Sequence, residues 1–121
     1  MTYTIGVFSK KVGLSIDTLR YYEKELLIIP NRNDINRRVY DDADITWIEF
    51  IKRLKKTGMP IKDMKHYAAL RYQGDGTIEE RMALLYEQLG VLLKQREGID
   101  ASIQFLTDKI DVYKEMLKKN K

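Results

Sequence analysis

A seven-residue repeat towards the C-terminal end constrains this chain more than any other feature of its sequence. Twelve positions follow one another at alternating spacings of four and three residues, and eleven of them are apolar. A 3.5-residue period kept over 40 residues is typical of a coiled-coil seam. The pattern predicts one long helix whose seam consists of Ile78, Met82, Leu85, Leu89, Leu92, Arg96, Ile99, Ile103, Leu106, Ile110, Tyr113 and Leu117.

Such a seam needs a partner surface. The helix would be about 60 Å long at 1.5 Å per residue, and a chain of 121 residues holds roughly one domain besides it. Arg96, the polar member, either extends to solvent or pairs with a carboxylate of a second copy, or else contacts a ligand or partner. We expect a homodimer with contacts from Met82, Leu85, Leu89, Leu92, Arg96, Ile99, Ile103, Leu106 and Ile110.

The segment YQGDGT, Tyr72 to Thr77, separates this helix from the rest of the chain. Thr77 and Glu80 have the spacing of an N-terminal capping box. The predicted domains are a head at 1–72, a linker at 73–77 and a dimerisation helix at 78–121. The first 72 residues carry 14 Lys or Arg against 9 Asp or Glu, and the remainder carries 8 against 9. The excess basic charge lies in the head and indicates an anionic partner, of which nucleic acid is the usual one.

Composition excludes several classes of function. The chain has no cysteine and one histidine, so disulfides and thiolate metal sites are excluded. It has no 18-residue apolar run and no signal-peptide pattern at its start, and we expect a cytoplasmic protein. Neither a glycine-rich phosphate loop nor a His-based acid–base pair is present, so we expect no enzyme and assign no cofactor and no metal.

The head is predicted to be a winged helix-turn-helix. Thr4 can cap a first helix that Gly13 ends, and Ser15 can cap a second after a short turn. Two short strands can pair about a turn at Asn33 and Asp34. Third and fourth helices are expected at 44–57 and after Pro60, with Ile45, Ile48, Ile51, Leu54, Ile61, Met64 and Ala68 facing inward.

The second helix is predicted to have two different faces. At 100° per residue, its buried side holds Leu19, Tyr22, Leu26 and Leu27, while Tyr21 points to the opposite side. A helix that exposes an aromatic ring beside basic and hydroxyl side chains suits the major groove of DNA. The alternative is an ordinary solvated face. The candidate contacts on this helix are Thr18, Arg20, Tyr21 and Lys24.

Two further basic groups are candidates for contact with phosphate. Strand alternation puts Arg38 and Tyr40 on one face of the wing and Arg37 on the other. Lys55 and Lys56 end the third helix, where they either reach DNA or only offset the helix dipole.

Three stretches together resemble the MerR family of transcription regulators: IGVFSKKVGLSIDTLRYYEKELLI, NRRVYDDADITWIEFIKRLKKTGMPIKDMKHY and the long helix. The resemblance implies an antiparallel coiled-coil dimer that binds pseudo-palindromic promoter DNA and bends and untwists the spacer for RNA polymerase. It also implies that Thr18, Arg20 and Tyr21 contact DNA from the recognition helix, and that Arg38 and Tyr40 hold its backbone from the wing.

The stretch WIEFIK is most similar to the aldehyde-responsive branch, which carries a cysteine where this chain has Arg53. The usual cysteine-based inputs of the family are therefore not expected. An alternative function is a protein-interaction module in which the coiled coil recruits a partner and the head no longer binds DNA. An effector cleft for an aromatic or cationic molecule, or simply ordinary packing, is expected around Trp47, Tyr67, Tyr72 and Tyr86.

Overall fold

The structure, a computed structural model, describes residues 1–120. It is mainly helical, as predicted, with five α-helices and a small antiparallel sheet. The strands are β1 (Thr2–Tyr3), β2 (Asn31–Arg32) and β3 (Arg38–Asp41). The helices are α1 (Ile5–Val12), α2 (Ile16–Lys24), α3 (Asp42–Lys56), α4 (Ile61–Gln73) and α5 (Ile78–Lys119), with a 3-10 turn at Asp75–Thr77.

Local signals set the helix-turn-helix. The Thr4 hydroxyl accepts from the Val7 amide at the start of α1, and the Ser15 hydroxyl accepts from the Thr18 amide at the start of α2. Between them, Gly13 has φ +68°, a left-handed conformation that glycine adopts at low cost. Lys52 of α3 donates to the Val12 carbonyl at 2.6 Å and so also satisfies the end of α1.

The wing contains the predicted hairpin and one strand more. β2 pairs antiparallel with β3 in the register Asn31 with Val39 and Arg32 with Arg38. In the connecting loop, the Asn33 side chain accepts from the amides of Ile35 and Arg37. On its other edge β3 pairs with β1, which the sequence did not indicate because two residues are too short to show a period.

The core of the head is formed by the inward faces of α1 to α4. Its fully buried side chains include Phe8, Leu19, Ile48 and Ile51. Two of the predicted inward positions are wrong. Leu26 is 61% exposed because α2 ends at Lys24 and the helical projection no longer applies. Ile61 is 45% exposed in the first turn of α4.

Thr77 does not form the predicted capping box. Its hydroxyl donates to the carbonyls of Leu70 at 2.7 Å and Gly74 at 2.8 Å, and accepts from Arg81 Nε at 3.1 Å. Thr77 therefore closes the end of α4, since a 3-10 turn already leads into α5.

The chain divides into two compact units, Met1–Leu85 and a second that begins at Tyr86. The predicted boundaries at residues 72 and 77 stay a prediction of domain organisation. In the first unit Leu85 is half-buried against the core of the head. In the second unit the seam is exposed in the single chain, with Leu89 at 48% and Ile103 at 56%. Within residues 1–120, no helix is long and apolar enough to cross a membrane.

Candidate nucleic-acid interface

The outer face of α2 presents the predicted group of polar side chains. Arg20, Tyr21 and Lys24 are exposed, while Thr18 is half-buried and its hydroxyl accepts from Ser15 at 2.9 Å. Arg20 lies 3.7 Å from Asp17, whose side chain is 94% exposed, and such a solvated pair contributes little stability. The guanidinium of Arg20 therefore stays available to an external anion.

The two adjacent tyrosines face different ways, as predicted. Tyr21 is 47% exposed and Tyr22 is 5% exposed, with ring centroids 6.2 Å apart. Burial, and secondarily the neighbouring Tyr21, raises the pKa of Tyr22. Tyr22 thus anchors α2 to the core, while the Tyr21 ring stays at the surface.

Glu23 connects α2 with the wing. One carboxylate oxygen accepts from Arg38 Nε at 2.6 Å, and the other accepts from Arg32 Nη2 at 3.2 Å. Arg32 also donates to the carbonyl of Asn36 in the hairpin loop at 3.1 Å. Because Arg32 and Arg38 are paired in the hairpin, one carboxylate holds both strands next to α2.

No pattern in the sequence singles out Glu23. The only available signal was its place two residues after Tyr21, on a helix expected to lie near a basic hairpin. Arg38, which was predicted to contact the DNA backbone, is half-buried in this ion pair. Arg37 is exposed.

The prediction for Tyr40 is wrong. It was predicted to contact DNA from the wing, but its side chain is fully buried. Its ring stacks on Phe8 with centroids 4.2 Å apart, and its hydroxyl has no hydrogen-bond partner among residues 1–120. Burial, assisted by the nearby Glu23 carboxylate, raises the pKa of Tyr40 to about 12. Strand alternation identified the face that carries Tyr40, but did not reveal that α1 covers that face.

Lys55 and Lys56 are both exposed at the end of α3. Lys55 lines a small cavity of about 160 Å³ together with Tyr21 and Tyr22, so the structure brings it beside α2. Lys56 is not among the residues that line this cavity. The candidate interface therefore combines α2, the hairpin loop and the end of α3.

The aromatic residues predicted to form an effector cleft are arranged differently from the expectation. Trp47 and Tyr67 line a groove with Phe50, and their rings lie 6.1 Å apart. Tyr72 is not a lining residue, and its hydroxyl accepts from the Ile29 amide at 2.9 Å. Tyr86 lies in the second unit.

Comparison with known proteins identifies the family. The family model "MerR HTH family regulatory protein" matches residues 3–70, and the model "MerR, DNA binding" matches residues 45–109. The chain belongs to the MerR family. This confirms the resemblance, the class of transcription regulator and the expectation that the chain is not an enzyme, and it gives no support to the interaction-module alternative.

Two HTH-type transcriptional regulators and one solved structure of a MerR-family regulator resemble long parts of the chain. An HTH-type transcriptional regulator of Haemophilus influenzae is 43% identical over 90 residues, and AdhR of Bacillus subtilis, an HTH-type transcriptional regulator, is 42% identical over 85. These matches cover 73% and 69% of this chain but only 66% and 61% of the two relatives. The crystal structure of HiNmlR, a MerR-family regulator lacking the sensor domain and bound to promoter DNA, matches with a TM-score of 0.73 and 36% identity. That match covers 95% of this chain and 92% of HiNmlR.

Proposed function

We propose that this MerR-family protein is a cytoplasmic, dimeric regulator that binds pseudo-palindromic promoter DNA in a sequence-specific manner. The observation that carries the proposal is the joint placement of α2 and the wing, which Glu23 holds together through Arg32 and Arg38. A helix with an exposed polar face beside a fixed hairpin suits one major groove and its flanking phosphates. The solved structure of HiNmlR on promoter DNA supports the same mode of binding.

The contacts have separate tasks in this proposal. Arg20 and Tyr21 enter the major groove, where arginine can bind guanine bidentately and a tyrosine hydroxyl can bind phosphate. The exposed cations around them hold the phosphate backbone. The proposed interface consists of Thr18, Arg20, Tyr21, Lys24, Arg37, Arg38, Lys55 and Lys56.

Two copies of the head are joined through the seam of α5. Apolar side chains such as Leu89, Ile99 and Ile110 are about half exposed in the single chain, and a second copy would remove them from water. The dimer then binds both halves of the operator and bends and untwists the spacer so that RNA polymerase can use it.

Fluorescence anisotropy tests DNA binding. The labelled duplex is taken from the promoter region next to the protein's own coding sequence. We expect the affinity to fall roughly a thousandfold between about 50 and 200 mM salt, since several phosphates release counterions. Arg20→Ala should weaken binding about tenfold with an unchanged melting temperature. Lys62→Ala, an exposed cation on α4 outside the proposed interface, is the matched control. Binding that ignores salt and Arg20 would contradict the proposal.

A further inference from the structure

We propose that the head contains a small-molecule site that takes a planar aromatic anion. The site is an open groove of about 460 Å³ within the unit Met1–Leu85. Small-molecule sites have volumes of roughly 300 to 1,000 Å³ and combine apolar walls with a few polar groups. We define the aromatic groove by its lining residues, Ala43, Thr46, Trp47, Phe50, Tyr67, Arg71 and Arg81.

Three rings form the apolar wall of the aromatic groove. The Trp47 ring lies nearly parallel to those of Tyr67 and Phe50, with interplanar angles of 11° and 21°. The Trp47 indole N–H donates to the Leu27 carbonyl at 2.7 Å, which fixes the orientation of the ring. A flat ligand therefore meets a surface that is already ordered, and it loses less entropy on binding than a ligand that must order the site.

Arg71 supplies a positive charge at this wall. Its guanidinium lies 4.7 Å from the centroid of the Trp47 ring and 4.8 Å from that of Tyr72. Within residues 1–120, no carboxylate forms an ion pair with Arg71. Burial raises the pKa of the Asp44 carboxyl, which the charge of Arg71 partly offsets, and this carboxylate accepts a hydrogen bond from the Asp41 amide at 3.0 Å.

Arg81, at the start of α5, supplies a second guanidinium, which the turn before this helix holds in place. It donates to Thr77 Oγ1 at 3.1 Å and to the Gly74 carbonyl at 3.3 Å, and its side chain is only 16% exposed. The Asp75 carboxylate lies 3.8 Å from Arg81 Nη2 and is fully exposed, so their attraction is screened by water.

The sign of this charge selects the ligand. Arg71 already occupies the cation position over the indole face, so a cationic ligand would meet two guanidinium groups instead of a free aromatic face. A carboxylate on an aromatic ring can accept hydrogen bonds from guanidinium while its ring lies against Phe50, the half-exposed ring of the wall. The sequence led us to expect an aromatic or cationic ligand; the two arginines favour an aromatic ligand that carries a negative charge.

Three probes of nearly equal shape test the site: benzoate, the neutral benzamide and the cationic benzamidine. Trp47 is the only tryptophan, so its indole N–H gives one identifiable signal in a ¹H–¹⁵N spectrum of the full chain without DNA. We expect benzoate to shift this signal saturably and to bind about tenfold tighter than benzamide, with benzamidine weaker still. Arg71→Gln should remove about tenfold of the affinity for benzoate.

Arg53→Gln is the matched control, because it removes the same charge from an exposed position on α3 outside the aromatic groove. Equal binding of benzoate and benzamide, an unchanged affinity in Arg71→Gln, or no saturable shift with benzoate would overturn the inference. Ligand binding is measured without DNA, so its failure is separate from failure of the proposed function. Only the use of the site to regulate transcription rests on that function.

Discussion

At the scale of the residue, periodicity predicted most of the side chains that face inward. It failed beyond the end of a helix and where burial depends on a residue from another element. Helical projection separated Tyr21 from Tyr22, because both lie within the regular part of α2. The same projection failed for Leu26, which lies beyond the helix end and has φ +60°. Alternation along β3 did not predict the burial of Tyr40, since that burial depends on Phe8 from another element.

Tyr40 gives a pH-dependent prediction. Its pKa is raised to about 12 in the folded chain, against about 10 when unfolded, so the folded state binds the proton more tightly. Below pH 10 the phenol is neutral in both states and this titration removes no stability; stability is lost as the pH rises from 10 towards 12. We expect the free energy of unfolding to fall over this range in urea titrations, and to fall less steeply in Tyr40→Phe.

The same variant tests the cost of the buried hydroxyl. Because that hydroxyl has no partner among residues 1–120, Tyr40→Phe should raise the free energy of unfolding at pH 7 by about 1 kcal/mol. Tyr21→Phe, at a half-exposed tyrosine, serves as the control and should leave the free energy of unfolding unchanged. A Tyr40→Phe protein that is destabilised at pH 7, or that keeps the full alkaline slope, would contradict this description.

At the scale of the element, capping and turn residues predicted α1 and α2 well, whereas the capping box expected at Thr77 is wrong and the short strands depend on tertiary contacts. Thr4, Gly13 and Ser15 act locally, and the sequence alone was sufficient for the helix-turn-helix. β1 exists because β3 offers it a free edge, and the wing is held against α2 by Glu23. Such long-range pairing has no local signature in the sequence.

The connection between α2 and the wing predicts the effect of Glu23→Ala. Both ion pairs of Glu23 would be lost, leaving Arg32 and Arg38 without this partner. We expect the free energy of unfolding to decrease by about 1 kcal/mol, and amide hydrogen exchange in β2 and β3 to accelerate. Asp17→Ala breaks the exposed pair with Arg20 and should change neither quantity. Equal exchange in the two variants would mean that Glu23 does not hold the wing.

At the scale of the whole molecule, the heptad pattern predicts an assembly that a single chain cannot display. The seam was identified from spacing alone, because a coiled coil repeats the same local environment many times. The aromatic groove has no comparable signal. Its lining comes from α3, α4 and the start of α5. The proposed roles of Arg71 and Arg81 depend on the rings and carbonyls that the fold places around them, and these have no local pattern in the sequence.

Substitution in the seam tests the dimer. Ile103→Arg places a charge at the proposed dimer contact and should give a monomer by light scattering, with operator affinity reduced at least about a hundredfold through loss of the second half-site contact. Ala101→Arg adds the same charge on the opposite side of α5 and should remain dimeric. A dimeric Ile103→Arg protein would show that another surface joins the two copies.

The pairing of Glu23 with both wing strands also bears on redesign of the protein. A recognition helix is commonly treated as an exchangeable cassette, in which a few side chains are replaced to obtain a new operator. Here residues 16–24 include the carboxylate that positions Arg32 and Arg38, so a transplanted helix without an acid at position 23 would alter the hairpin along with the proposed base contacts. New DNA specificities in this scaffold have to be selected with the helix and the wing varied as one unit.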